Sequence, residues 1–262
     1  MTGFDAGRVR VRLSLADGIV SAVDVACERP DVAAALRGRP ADEVVTLVPL
    51  IYSLCGQAQG IAARLALAAA RGEATAPHVD ARVAAEALRE HAWKLLVDWP
   101  KALGLAPDEA LFVRVARTAP GTGGALAAEL RAKPVFAGGG DALLAERIAA
   151  RGAELLALLE GRPTPAGSVA ATALEPGRGM ADVMTARGGL RHEIALDGDR
   201  IASYAIEAPT DRLFRQDGPL PGLLLGLGKV MRSGIQGDGA AATAERLVMA
   251  LDPCVPWELE IA

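Results

Sequence analysis

The chain has 262 residues, a formal net charge of −4, 51% hydrophobic residues and only 3% aromatic ones. That length and apolar content support a full core and exclude long disorder. The acidic balance excludes the basic stripe that a nucleic-acid-binding surface needs. Three cysteines, an odd number in a chain this size, do not suggest a disulfide framework. No basic region followed by an apolar core opens the chain, so no signal peptide is expected and the expected location is cytoplasmic. The uncharged run 44–63 is long enough to span a membrane, but it contains Pro49, Gln57, Gln59 and two glycines. Those groups are expensive in lipid, so it reads as a buried helix start with a functional turn, and no membrane insertion is expected.

In chain order, Val9, Val11, Leu13 and Leu15 alternate with polar residues, and Asp17-Gly18 turns the chain into 19–26, a hairpin over 8–27. A polar stretch to Arg39 follows, with one helical turn near Ala33–Leu36. Residues 41–71 read as helix, interrupted near Pro49 and near Cys55-Gly56. Residues 79–98 form an amphipathic helix that Pro100 stops. Shorter helices fall at 108–117 and 124–132. Gly138–Gly140 break the chain, and Asp141 caps a helix running to Glu160. The Pro- and Gly-containing segment 161–179 reads as a linker closing a helical core over 41–160. A second hairpin occupies 190–207 around Asp197-Gly198, and helices near 220–233 and 240–250 lead to a cysteine-bearing tail, the last part of a segment 219–262.

Most catalytic signatures are absent. The glycine clusters form no GxGxxG, Gly228-Lys229 lacks both ends of a phosphate loop, and no GxSxG elbow or His pair at i, i+4 occurs. No complete acid–base or nucleophile set is found. His91, beside Trp93, reads as an ordinary partly buried histidine. Cys55 sits in Leu54-Cys55-Gly56-Gln57-Ala58 and Cys254 in Asp252-Pro253-Cys254-Val255-Pro256-Trp257. Both are flanked by conformationally special residues, yet free cysteine is often a small buried hydrophobe, so spacing alone leaves their role open.

The segment Gly7–Ala62 resembles the start of a [NiFe]-hydrogenase large subunit, a hairpin and then an apolar run into a motif of the form RxCGxCxxxH. Leu251-Asp252-Pro253-Cys254 resembles that family's closing DPCxxCxxH. Thr185-Ala186-Arg187-Gly188-Gly189-Leu190-Arg191-His192 is similar to its APRGxLxH stretch, Glu207-Ala208-Pro209-Thr210 continues the likeness, and Glu86–Trp99 resembles a family helix. In the family, each motif's first cysteine binds nickel and its second bridges to iron. Here Cys55 and Cys254 match the first cysteines, while Ala58 and Trp257 replace the second. Ala62 and Glu260 replace the closing histidines, and Ala6 the glutamate of an opening RxEGH.

Without its bridging ligands the bimetallic centre cannot be held, so the resemblance argues against hydrogenase activity. It points to the accessory members, hydrogenase maturation proteins of the HupK/HoxV type. The resemblance implies a non-catalytic scaffold that holds an Fe(CN)2(CO) unit on Cys55 and Cys254 before its transfer to a large-subunit precursor. Low-spin iron is a soft centre that suits thiolates. Arg187, by its match to the family arginine, is expected to donate to a cyanide nitrogen, and nickel is not expected. Maturation chaperones and the precursor are the implied partners. With the chain stopping at Ala262, no cleavable extension of the kind carried by precursors is expected. His192 reads as structural and Cys27 as an inert core thiol. Two other readings stay open: a metal-free protein that docks maturation chaperones through a large-subunit-like surface, and a true enzyme. The expected fold is one mainly α, large-subunit-like domain, a helical bundle with small antiparallel β-hairpins attached.

Overall fold

The computed structural model describes residues 7–17, 19–52, 54–73, 75–133, 142–232 and 239–262, with backbone only at 142 and 227–232. Gly18, the Gly138–Gly140 break, the Asp141 cap and Ala6 lie outside the described residues. The chain divides into two compact units: residues 1–31, 141–144 and 208–262 form the smaller, and residues 32–140 and 145–207 the larger.

The smaller unit begins with the hairpin read from the sequence, β1 (Arg8–Ala16) and β2 (Ile19–Glu28). Alternation decides its faces. Val9, Val11 and Leu13 are fully buried, and their partners across the ladder are Cys27, Val25 and Val23. On the other face Arg10 pairs with Glu28 at 2.9 Å. The tail adds a strand that the sequence did not reveal, β8 (Trp257–Ile261), running parallel to β1 in a sheet ordered β2-β1-β8. The inner face is covered by Leu220 and Leu224 of α10 (Pro219–Arg232) and by Ala244, Leu247, Val248 and Leu251 of α11 (Ala240–Leu251).

The larger unit holds α1 (Val32–Leu36), α2 (Ala41–Ile51), α3 (Gly56–Ala70) and α4 (Ala81–Trp93), then a π-helical turn at Lys94–Asp98. α5 (Trp99–Ala102), α6 (Glu109–Ala116), α7 (Gly124–Arg131) and most of α8 (Ala142–Glu160) follow. Its sheet is an antiparallel run ordered β3 (His78–Val79), β4 (Ser168–Glu175), β5 (Arg178–Thr185), β6 (Gly188–Asp197) and β7 (Arg200–Glu207). The helix ending in His-Ala-Trp does not stop before Pro100. The π turn shifts the carbonyl ladder, and Pro100 falls in the first turn of α5, where its missing N–H is no loss.

The helical bundle with small hairpins is therefore corrected. The described residues form sheets of three and five strands beside the helices. The expected linker 161–179 contains β4 and the start of β5, Ser-Val-Ala-Ala-Thr-Ala-Leu-Glu and Arg-Gly-Met-Ala-Asp-Val-Met-Thr. Their alanines and glycine carry little strand preference, so pairing and packing decide their state. The expected second hairpin is the last two strands of the resulting meander.

α3 lies on β4, β5 and β6 through small residues, with Ala63, Ala66, Leu67 and Ala70 packed against Ala181, Ile194 and Tyr204. The approach is backbone to backbone. A Cβ on Gly179 would stand 2.2 Å from the Ala70 nitrogen and 2.4 Å from the Ala66 oxygen.

Candidate functional site

The break before α3 is what presents Cys55. α2 ends at Ile51, and Cys55 is the residue before α3, with non-helical backbone angles (φ −127°, ψ 32°). Gly56 lets the two helices meet, because a Cβ there would lie 2.7 Å from the Pro49 carbonyl oxygen. One turn on, Gln59 shares the Cys55 face of the helix. Its Nε2 donates to Cys55 Sγ at 3.7 Å, and its Oε1 lies 2.8 Å from His192 Nε2. A carboxamide oxygen only accepts, so His192 Nε2 carries the proton and Nδ1 accepts from the Tyr204 hydroxyl at 2.7 Å. Burial pushes the His192 imidazole down to about 3, and burial also holds the Tyr204 phenol protonated. The result is a neutral relay, Tyr204 to His192 to Gln59, that ends in a donor on the Cys55 sulfur.

Behind Cys55, Glu86 of α4 occupies the positive end of α3 and accepts from the Gln57 and Ala58 backbone N–H groups at 2.7 and 3.1 Å. Burial raises the Glu86 carboxyl, opposed by those two hydrogen bonds, and the charge of Glu90 one turn along adds to the rise. Glu90 in turn meets Arg187. The guanidinium, 7% exposed, lies 2.8 Å from Glu90 Oε2, an ion pair without hydrogen-bond alignment at that oxygen. Arg187 sits in the β5–β6 turn, where Thr185 Oγ1 accepts from the Arg187 N–H and donates to the Gly188 carbonyl. In the larger unit, Glu86 thus holds the start of α3 just after Cys55, and Glu90, one turn further along α4, pairs with Arg187.

Cys254 belongs to the smaller unit. Asp252 caps α11 in the left-handed region (φ 53°), and Pro253 follows on the way to β8. Thr210, in α9 (Pro209–Leu213), is 1% exposed. Its hydroxyl donates to Cys254 Sγ and accepts from the Cys254 backbone N–H, both at 3.1 Å. Replacing Thr210 with valine keeps the shape and removes both bonds, so a loss of about 1–3 kcal/mol is expected in chemical denaturation. Thr210→Ser, which keeps the hydroxyl, is expected to stay near wild type in the same measurement.

No protein-family profile matches the chain. It is 28% identical to the hydrogenase expression/formation protein HupK of Azotobacter vinelandii, across 98% of this chain and 99% of that one. It is 40% identical to the hydrogenase expression/formation protein HoxV of Cupriavidus necator over 34% of this chain and 24% of that one. The chain is a homologue of the HupK/HoxV hydrogenase expression/formation proteins. Among solved structures, a chain of an NAD+-reducing [NiFe]-hydrogenase superposes with a TM-score of 0.59 at 14% identity, covering 91% of this chain and 93% of that one. The fold of the chain is therefore like that of the [NiFe]-hydrogenase large subunit.

At the four positions where the large-subunit motifs would carry further ligands, this chain has structural residues. Ala58 and Ala62 are fully buried in α3. Trp257 packs on the core of the smaller unit, and Glu260 pairs with Arg12 at 2.9 Å. Among the described residues no group of three or more His, Cys, Asp or Glu side chains is placed to hold a metal ion. Gln59, Glu86, Glu90, Tyr204 and Thr210 were missed as site residues. Two had a signal: Gln59 is four residues from Cys55, and Glu86 interrupts the inward face that runs through Val83, Ala87 and Leu88. His91, read as an ordinary partly buried histidine, is fully buried and bonds Glu154 at 3.0 Å.

Proposed function

We propose that the protein is a non-catalytic scaffold in [NiFe]-hydrogenase maturation that carries the Fe(CN)2(CO) unit as cargo, with Cys55 and Cys254 as its thiolate ligands. The observation that carries this reading is that each cysteine sulfur accepts a hydrogen bond from a side chain fixed by its own buried contacts, Gln59 and Thr210. Donors of this kind orient a sulfur and moderate its charge without occupying the metal-facing lone pairs, as outer partners do around metal ligands. Arg187 supplies the buried cation for a cargo whose two thiolates leave it about two negative charges. Its guanidinium stays charged when buried, and it serves as donor to a cyanide nitrogen.

The names of the relatives support an accessory role, and the large-subunit fold supports a surface that maturation chaperones and the precursor recognise. With the bridging positions held by Ala58 and Trp257, nickel has no thiolate pair to enter. Two protein ligands make a holder that releases its cargo.

The test is an anaerobic infrared spectrum of protein purified from a host expressing the maturation set. Cyanide and carbonyl bands are expected in the wild type and absent from Cys55→Ser and Cys254→Ser. In Arg187→Met the bands are expected to remain with shifted cyanide frequencies. Iron-free wild type without bands would replace this reading with the metal-free docking protein, and stoichiometric nickel would sink it.

A further inference from the structure

The three-stranded sheet of the smaller unit treats its two edges differently. At the β2 edge Gln216 stands in for a neighbouring strand. Its Oε1 accepts from the Val25 N–H at 2.7 Å, and its Nε2 donates to the Val23 carbonyl at 3.1 Å. The other edge is β8. β8 meets β1 through alternate residues. The Pro256 carbonyl accepts from the Val9 N–H at 2.9 Å, while Ala262 donates to the Leu13 carbonyl at 2.8 Å and accepts from the Leu15 N–H at 3.1 Å. Alternation therefore turns the N–H and C=O groups of Trp257, Leu259 and Ile261 to the open side. No described residue bonds them there. A row of strand-pairing groups is left facing outward, which is the template for adding a strand.

The side chains of β8 specify the kind of strand. Trp257 and Leu259 pack on the core of the inner face, and Ile261, on the same face, is 45% exposed. On the outer face the charges alternate by column. Glu28 and Asp24 of β2 lie opposite Arg8 and Arg12 of β1, and Arg10 and Arg12 lie opposite Glu258 and Glu260 of β8. A basic column is the one that continues this order. Glu258 and Glu260 already pair with Arg8 and Arg12 at 2.9 Å, but both stay half-exposed, and a carboxylate offers about four acceptor positions. A second copy of β8, paired face for face, would set glutamate against glutamate, which destabilises a ladder.

We propose that the β8 edge is a docking site for an extended segment of a protein partner in which apolar residues alternate with lysine or arginine. The segment adds as a fourth strand. Its backbone pairs with residues 257, 259 and 261, its apolar side chains continue the inner face, and its cations meet Glu258 and Glu260. β1, with Arg-Val-Arg-Val-Arg-Leu, already makes this pairing on the other side of β8. β8 begins three residues after Cys254, so a partner held there adjoins the turn that carries that sulfur. The docking makes no use of the metal cargo and stands with or without it.

The test is fluorescence anisotropy of a labelled peptide of alternating arginine and valine, titrated with the full chain. A peptide of the same composition in block order and one of alternating glutamate and valine serve as controls. Only the alternating arginine–valine peptide is expected to saturate. Ile261→Pro removes an N–H that β1 does not use, and proline is tolerated at such an edge, so the fold is kept, as circular dichroism checks. Its binding is expected to fall at least about 10-fold, the loss of one backbone hydrogen bond and of close approach. Glu260→Lys is expected to weaken the arginine–valine peptide and admit the glutamate–valine one. Undiminished binding by Ile261→Pro, equal binding of either control peptide to the wild type, or no binding by the wild type overturns the proposal. A wild-type dimer that Ile261→Pro makes monomeric in sedimentation also overturns it, since the edge then belongs to a second copy.

Discussion

Substituting Gly179 with alanine is expected to destabilise the larger unit by about 3 kcal/mol or more, enough to unfold a marginal domain. The added methyl meets the Ala70 nitrogen at 2.2 Å, the Ala66 oxygen at 2.4 Å and the Ala69 carbonyl carbon at 2.7 Å. All three are backbone atoms of α3, so no rotamer change makes room, and the helix must lift from β5. Lifting α3 also moves Gln59 relative to His192 and so disturbs the donor on Cys55. The same change at Gly222 in α10, where nothing stands within 4 Å of the built Cβ, is expected to raise stability by about 0.5–1 kcal/mol. Urea denaturation of the two variants checks both signs. Near-wild-type stability of Gly179→Ala would mean that α3 does not lie on the sheet as described.

That contact explains why the fold was only half legible. The hairpin of Val9, Val11 and Leu13 announces itself because alternate large apolar residues meet alternate arginines. β4 and β5 bury mainly Val169, Ala181 and Val183, and Ala181 packs with the alanines of α3. Small residues facing small residues leave no hydrophobic period to read, and Pro163, Pro165 and Pro176 make the segment look like a linker. β8 was hidden for another reason: a parallel partner 250 residues away leaves no local turn signal, although Glu258 and Glu260 are spaced to meet Arg8 and Arg12.

The candidate site divides in the same way. Cys55, Cys254 and Arg187 stand in recognisable motifs, so a resemblance finds them. The groups that orient their neighbours come from other elements: Glu86 from α4, Tyr204 from β7 and Thr210 from α9. Only the fold brings those to the motif.

Acid is expected to weaken the larger unit well above the carboxylate range, through His192. Folded His192 titrates at about 3 and an ordinary histidine near 6.5, so between those values the unfolded chain binds a proton that the folded chain does not. Stability from this group is therefore complete above about pH 6.5 and falls as the pH drops toward 3, by about 1.4 kcal/mol per pH unit. Between pH 6.5 and 5 the loss is about 2 kcal/mol. Glu154 adds to it lower down. Burial alone would raise its carboxyl, but hydrogen bonds from His91, Thr164 and the Ala166 N–H hold it at about 2, so its contribution is present above 4.5 and lost as the pH falls through that lowered value. Glu86 has the opposite sign: its raised carboxyl keeps its proton longer in the folded state, which favours folding below about 4.5 and loses that advantage as the pH rises through the raised value. Glu154 acts below 4.5 and Glu86 above it, so it is the comparison of wild type with a His192 variant between pH 6.5 and 5 that isolates His192. His192→Gln is expected to be less stable than wild type at pH 7, because the Tyr204 and Gln59 contacts are re-made imperfectly, yet its stability should change less between pH 6.5 and 5. Equal slopes in the two proteins would mean that His192 is protonated in the folded state, and then its Nδ1 cannot accept from Tyr204 and the neutral relay to Cys55 does not exist.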